Sequence, residues 1–226
     1  MIDFDSKARL WDGNPVFQAR ADKIAAAIQA AIPLNTNMRA LDYGCGTGML
    51  SFPLKDALGH ITLKDSSAGM LEVLREKIAA LGVSNMTVRQ ADLTSQPLSL
   101  TPSPSPTGRG ERQASLGDGD EIERYDLIYS SMVLHHIPDT AGILATFHAL
   151  LNPGGRLCVA DLDQEDGSFH GIEIDVHHGF TRETLRRQAE AAGFADIRFD
   201  TVFEIVKEQE TGTRAYPVFL MVARKH

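Results

Sequence analysis

The stretch that most restricts what this chain can fold into is Ala40 to Leu50, Ala-Leu-Asp-Tyr-Gly-Cys-Gly-Thr-Gly-Met-Leu. Its apolar opening predicts a buried strand. Gly44, Gly46 and Gly48 then break the pattern, and the apolar residues that follow predict a helix. A strand, a glycine turn and a helix create a crevice at the carboxyl end of a parallel sheet. Glycines there let the backbone approach a ligand that a side chain would hold off. Asp42, at the strand end, offers an acceptor to the same crevice.

The flanking sequence agrees with such a sheet. Apolar positions at helical spacing run from Pro15 to Ile32, with Pro33 as the stop. Residues Met1 to Trp11 show no clear period and are expected to be irregular. The spacing predicts a helix over Met49–Leu58, a second strand at His60–Lys64 ending on Asp65, and a helix through Met70, Leu71, Leu74 and Ile78. Ser66 or Ser67 would cap that helix. A third strand at Met86–Arg89 ends at Asp92. Alternating strands and helices argue for an α/β, doubly wound, mostly parallel sheet with helices on both faces, in a single domain. The helical N-terminal segment, about 1–35, would cap it.

From Leu98 to Glu123 the pattern fails. Thr-Pro-Ser-Pro-Ser-Pro-Thr-Gly-Arg-Gly forbids helix and disfavours a central strand. Few apolar residues remain to bind it to a core, so a flexible insertion over about 98–123 is expected. Beyond it lie a fourth strand (Tyr125–Ser130), a turn or short helix to His136 and a helix to Leu151. Asn-Pro-Gly-Gly then stops the chain before a fifth strand (Arg156–Ala160). A helix from Thr181 to Ala192 precedes two final strands, Phe194–Val206 and Val218–Arg224, expected as an antiparallel pair at one sheet edge.

Bulk properties narrow the partners. The net charge of −8 over 226 residues and the lack of a Lys/Arg-rich run argue against nucleic acid or an anionic membrane surface. No apolar run is long enough to span a bilayer. Two cysteines, Cys45 and Cys158, fit a reduced, cytoplasmic setting better than a disulfide framework. Cys45 has no base or cation beside it in sequence to make a reactive thiolate.

A dinucleotide-binding turn wants G-x-G-x-x-G. Gly44 and Gly46 fit it, but Met49 holds the third position, which counts against a nicotinamide-dependent oxidoreductase. Alternate glycines after an acid, Asp42-x-Gly44-x-Gly46-x-Gly48, instead resemble the first motif of the class I (Rossmann-like) S-adenosylmethionine-dependent methyltransferases. The likeness covers nearly the whole chain except its first residues and the insertion. It implies seven strands, the last antiparallel, with S-adenosylmethionine as cofactor and S-adenosylhomocysteine as product. Asp42 and Gly44, Cys45, Gly46 and Gly48 would hold the methionine end, Asp42 facing the ammonium directly or through water. Asp65 would accept from both ribose hydroxyls. Ser66 and Met70 would lie beside ribose and adenine. Asp92 would accept from the adenine amino group, with the backbone N–H of Leu93 donating to the ring. Ser130 and Ser131 would line the sulfonium.

The acceptor side is less legible. His135 and His136, in a Leu-His-His segment after the fourth strand, are the candidates for a catalytic base. A second polar cluster, Asp161, Asp163, Glu165, Asp166, His170, His177 and His178, reads as a lid. Its spacing matches no metal-binding pattern, and no metal is expected. Phe4, Trp11, Phe169 and Phe180 could supply apolar walls. The fourth strand ends in Tyr-Ser-Ser-Met, unlike the Asn/Asp-Pro-Pro-Tyr of methyltransferases that act on adenine or glutamine amides. No Pro-Cys pair is placed to attack cytosine. A small-molecule acceptor is therefore expected. A cofactor-binding regulator without catalysis is the other reading, and the oligomeric state is open.

Overall fold

The computed structural model describes residues 4–91, 123–170, 176–209 and 212–226. Asp92, Leu93 and nearly all of the expected insertion lie outside them.

The chain opens with helices α1 (Phe4–Trp11) and α2 (Pro15–Ala31), followed by β1 (Arg39–Tyr43). Short helix α3 (Ser51–Leu54), β2 (His60–Asp65), α4 (Ala68–Leu81) and β3 (Met86–Gln90) complete the first half. The second half comprises β4 (Tyr125–Ser131), α5 (Thr140–Leu150), β5 (Leu151–Leu162), α6 (Arg182–Ala191), β6 (Phe194–Gln209) and β7 (Gly212–Lys225). The strands form one seven-stranded sheet in the order β3-β2-β1-β4-β5-β7-β6. β7 is antiparallel to both of its neighbours, and the other pairings are parallel.

The apolar residues form two buried clusters, each holding alternate positions of the same strands. Ala40, Leu127, Tyr129 and Cys158 join Ile24 and Ile28 of α2 and Leu71 and Leu74 of α4. Leu41, Ile128, Leu157 and Val159 join Leu144 and Phe147 of α5 and Leu185 of α6. This is the period-two alternation of a sheet covered on both sides. Strand order reverses between β1 and β4, where open α/β sheets hold their ligands.

Four expectations change. Residues 4–11 are helical, not irregular, because side chains far along the chain hold them. Asp5 accepts from the Gly69 N–H at 2.9 Å and from the Ser67 hydroxyl, and Arg9 pairs with Glu72 and Glu76. An eight-residue helix gains little from its own hydrogen bonds and needs such outside contacts. The helix expected over Met49–Leu58 shrinks to α3 and a 3-10 turn at Lys55–Ala57. Pro53 lacks the N–H that would extend it. The fifth strand begins at Leu151, running through Asn152–Gly155 with a register shift against β4, and the last two strands are longer than expected.

Candidate functional site

The glycine turn bends as its spacing requires. Gly44, Gly46 and Gly48 have φ of +70°, +51° and +82°, a region closed to most side chains. Each has a different neighbour. A Cβ on Gly44 would lie 2.3 Å from Val133 Cγ2, and one on Gly48 would lie 2.6 Å from Leu74 Cδ1. A Cβ on Gly46 would meet nothing within 4 Å. Gly48 therefore serves packing, while Gly46 borders open space.

That space is a cavity of about 210 Å³ at the carboxyl ends of β1 and β4. Asp42, Gly44, Cys45, Gly46, Asp65, Ser66, Met70 and Ser131 line it. Two expected residues do not. Gly48 packs against α4, and Ser130 is buried with its hydroxyl donating to the Tyr43 carbonyl at 2.8 Å. In a strand, neighbouring side chains point to opposite faces, so Ser131 reaches the cavity and Ser130 does not. Asp92 and Leu93 lie outside the described residues, although Ala91 borders the cavity.

Two carboxylates set the electrostatics. Asp42 is buried, and Ser51 Oγ donates to it at 2.6 Å while bridging to the Tyr129 hydroxyl. Burial pushes its pKa up to about 7, against the hydrogen bond from Ser51, which lowers it. A nearby cation would restore the charge. Asp65 accepts from the Gly46 N–H and the Ser67 N–H, both at 2.8 Å. A carboxylate has about four acceptor positions, so these bonds orient Asp65 and leave capacity for a ligand. Burial raises its pKa, while backbone N–H groups of Ser67, Gly46 and Ser66 oppose the shift. The Cys45 thiol is raised well above its ordinary value, chiefly by burial, as expected for an unreactive group.

The far wall comes from α1, α2 and the segment after β4. Phe4, Trp11, Phe17 and Arg20 line the cavity together with Met132, Val133 and His136, and the Phe4 ring stands 5.6 Å from that of His136. Arg20 was missed by sequence reasoning. Its guanidinium stands over the Phe17 ring, and burial lowers its pKa to about 10 against the pull of Asp161. It sits in an Ala-rich helix whose period reports burial and not what the helix faces.

His136 lines the cavity, and His135 stands one ring behind it with centroids 4.1 Å apart. His135 is buried, its Nδ1 is 2.7 Å from Asp161 Oδ1, and its backbone N–H donates to Oδ2 of the same carboxylate. Asp161 thus occupies the Nδ1 side of the ring, and Nε2 is the nitrogen turned away from the carboxylate. His170 completes the group, its ring 4.9 Å from that of His135. Burial, then the neighbouring His135, pushes both His136 and His170 down to about 4, so both are neutral near pH 7.

The polar cluster expected as a lid divides. Asp161 and His170 join the histidines. Asp163 forms two hydrogen bonds with Arg182, Asp166 pairs with Arg214, and Glu165 accepts from the Phe169 N–H. His177 Nε2 lies 3.0 Å from the Ile137 carbonyl oxygen. These contacts tie the loop to α6, to β7 and to the segment after β4. Phe4 and Trp11 line the cavity, whereas Phe169 packs on Tyr216 and Phe180 is buried.

A family model described as a methyltransferase domain matches residues 17–198. The chain belongs to this methyltransferase family. An uncharacterised methyltransferase of Schizosaccharomyces pombe is 29% identical over 161 residues, which cover 66% of this chain and 51% of the relative. A ubiquinone biosynthesis O-methyltransferase of Pasteurella multocida is 27% identical, covering 71% of this chain and 63% of that protein. The chain thus spans about half to two thirds of the length of these relatives. Among solved structures, the magnesium protoporphyrin IX methyltransferase of Synechocystis with bound S-adenosylhomocysteine superposes with a TM-score of 0.62 at 20% identity, covering 93% of this chain and 83% of that one. The resemblance to the class I methyltransferases, whose cofactor is S-adenosylmethionine, therefore holds for family and fold. No helix among the described residues is long and apolar enough to cross a membrane.

Proposed function

We propose that this methyltransferase moves the methyl group of S-adenosylmethionine to a small-molecule acceptor. The observation that carries the reading is the pairing of Asp42 and Asp65 on one cavity, on either side of a glycine turn whose Gly46 borders open space. Asp42 answers the cofactor's ammonium, and Asp65 answers the ribose hydroxyls. Ser66, Met70 and Ala91 lead toward the adenine end, where Asp92 and Leu93 remain the proposed contacts. Ser131 and Val133 face the sulfonium, and Arg20 supplies a cation on the same wall.

The cofactor carries the reactive carbon and the leaving sulfur. The chain aligns the acceptor and excludes water, for which Phe4, Trp11 and Phe17 are suited. Where the acceptor must lose a proton, His135 and His136 are the groups at hand, with Asp161 positioning His135. The acidic net charge and the apolar wall favour a small molecule over nucleic acid. Buried Cys45 and Cys158 suit a reducing, cytoplasmic setting.

Calorimetry with S-adenosylhomocysteine and, separately, NADH tests the cofactor. Binding of the first alone is expected, and preference for NADH would overturn the reading. A non-catalytic regulator would bind S-adenosylhomocysteine equally well, yet transfer no labelled methyl group to any acceptor in a metabolite extract.

A further inference from the structure

His135, His136 and His170 each place a ring nitrogen within 4.8 Å of the others, the one such group of potential metal ligands among the described residues. Two further observations concern the same cluster. His170 Nε2 is buried with no hydrogen-bond partner among the described residues, although buried polar atoms are nearly always satisfied. The Nδ1 of His135 lies 2.7 Å from Asp161, itself fully buried, which leaves Nε2 as the nitrogen a ligand would meet. A carboxylate behind one imidazole nitrogen is how proteins aim the other at a metal. His136 extends the cluster to the cavity wall.

We propose that these three imidazoles form a site for one divalent transition-metal ion, with its open coordination position toward the cavity. Nitrogen ligands without carboxylates in the inner set suit Zn(II), Co(II), Ni(II) or Fe(II) and not magnesium or calcium. Metal–nitrogen bonds of about 2.0–2.1 Å bring tetrahedral ligands about 3.3 Å apart. Closing the nitrogens from within 4.8 Å to that spacing requires side-chain rotations of His136 and His170, with His135 held by Asp161. Three protein ligands leave a position open, as in catalytic zinc sites.

Metal binding stands independently of the methyl-transfer reading; only the use of the open position rests on it. There, an acceptor hydroxyl binds the ion and releases its proton to solvent. Its oxygen bonds to the methyl carbon as the carbon–sulfur bond breaks, and the bonding pair stays on sulfur. The histidines then act as ligands in place of bases.

The test is titration of the untagged, chelator-stripped full chain with Co(II) chloride, followed by its visible d–d absorption, with S-adenosylhomocysteine calorimetry on the same samples. One Co(II) per chain is expected, with intense bands of a four- or five-coordinate ion that Zn(II) displaces. His170→Ala should abolish the bands at stoichiometric Co(II), while His60→Ala, at the start of β2, should retain them. Asp161→Asn should weaken Co(II) binding about 10–100-fold. Because these variants alter a buried region, unchanged S-adenosylhomocysteine affinity is required of each. Bands absent from the wild type, or retained in His170→Ala, would overturn the metal site and leave the methyltransferase reading intact. Co(II) binding without S-adenosylhomocysteine affinity would support the metal site and overturn that reading.

Discussion

The two ends of the cavity are built in different ways. At the proposed cofactor end, Asp42, the glycine turn, Asp65, Ser66 and Met70 fall within thirty residues, and backbone geometry does much of the work. The turn needs three positive φ angles, and Asp65 is held by two main-chain N–H groups. At the proposed acceptor end, Phe4, Trp11, Arg20, His136, Asp161 and His170 come from elements far apart in sequence. Their side chains meet only because helices and loops converge over the sheet. A site made by main-chain conformation constrains a short run of residue types. A site made by converging side chains constrains none of them locally.

This contrast predicts that the two ends can be damaged separately. The largest effect is expected for His136→Ala with any acceptor that turns over on the wild type. Loss of a positioned base or metal ligand should lower kcat about 10²–10⁴-fold while S-adenosylhomocysteine affinity stays the same. Loss of affinity in parallel would mean that the two ends are not independent.

Asp65→Ala should do the opposite. Removing a charged hydrogen-bonding partner should weaken cofactor binding by about 1.5–3 kcal/mol in calorimetry. An unchanged affinity would remove Asp65 from the site.

A smaller, graded effect is expected from Asp42. Its folded pKa, about 7, lies above the ordinary 3.8, so the protonated form is favoured by folding. Without cofactor, its contribution to stability is present below 3.8 and lost as pH rises through about 7. An ammonium opposite it favours the ionised form, so S-adenosylhomocysteine binding expels a proton below that pH. The rise in thermal midpoint caused by the ligand should therefore grow from about pH 5 to about pH 7 and then level off. Asp42→Asn should flatten the dependence, and an equally steep profile in that variant would assign it to another group.

The smallest effect is expected from a deletion outside the described residues. Deleting Thr101–Gly119, the segment rich in Pro, Ser and Gly, should leave the melting temperature and cofactor affinity nearly unchanged, because loop length carries a weak entropic cost. A deletion variant that folds but fails to bind would attach the segment to the site.

Much of the fold was legible because its signals are periodic. Alternation within strands and helical spacing in α2, α4 and α6 recur along the chain, and Asp42 and Asp65 fall near the carboxyl ends of β1 and β2. α1 was not legible, since its helicity rests on Asp5 and Arg9 meeting α4 more than sixty residues away. Ser130 was misjudged for a simpler reason. The strand carries one serine to each face, and only the register against β1 decides which one faces the cavity. His135 and His136 were visible as a motif, but the arrival of Asp161 behind one and His170 beside both was not.

The sequence by itself determined the sheet, the glycine turn and the acids of the cofactor end. These follow from conformational limits that act over a few residues: the freedom of glycine at positive φ, the period of a strand and the cap of a helix. Tertiary structure decided that α1 closes the cavity, that Arg20 faces it, and that three histidines gather in front of a buried carboxylate. Those outcomes depend on how elements pack over long sequence separations, which no local pattern encodes.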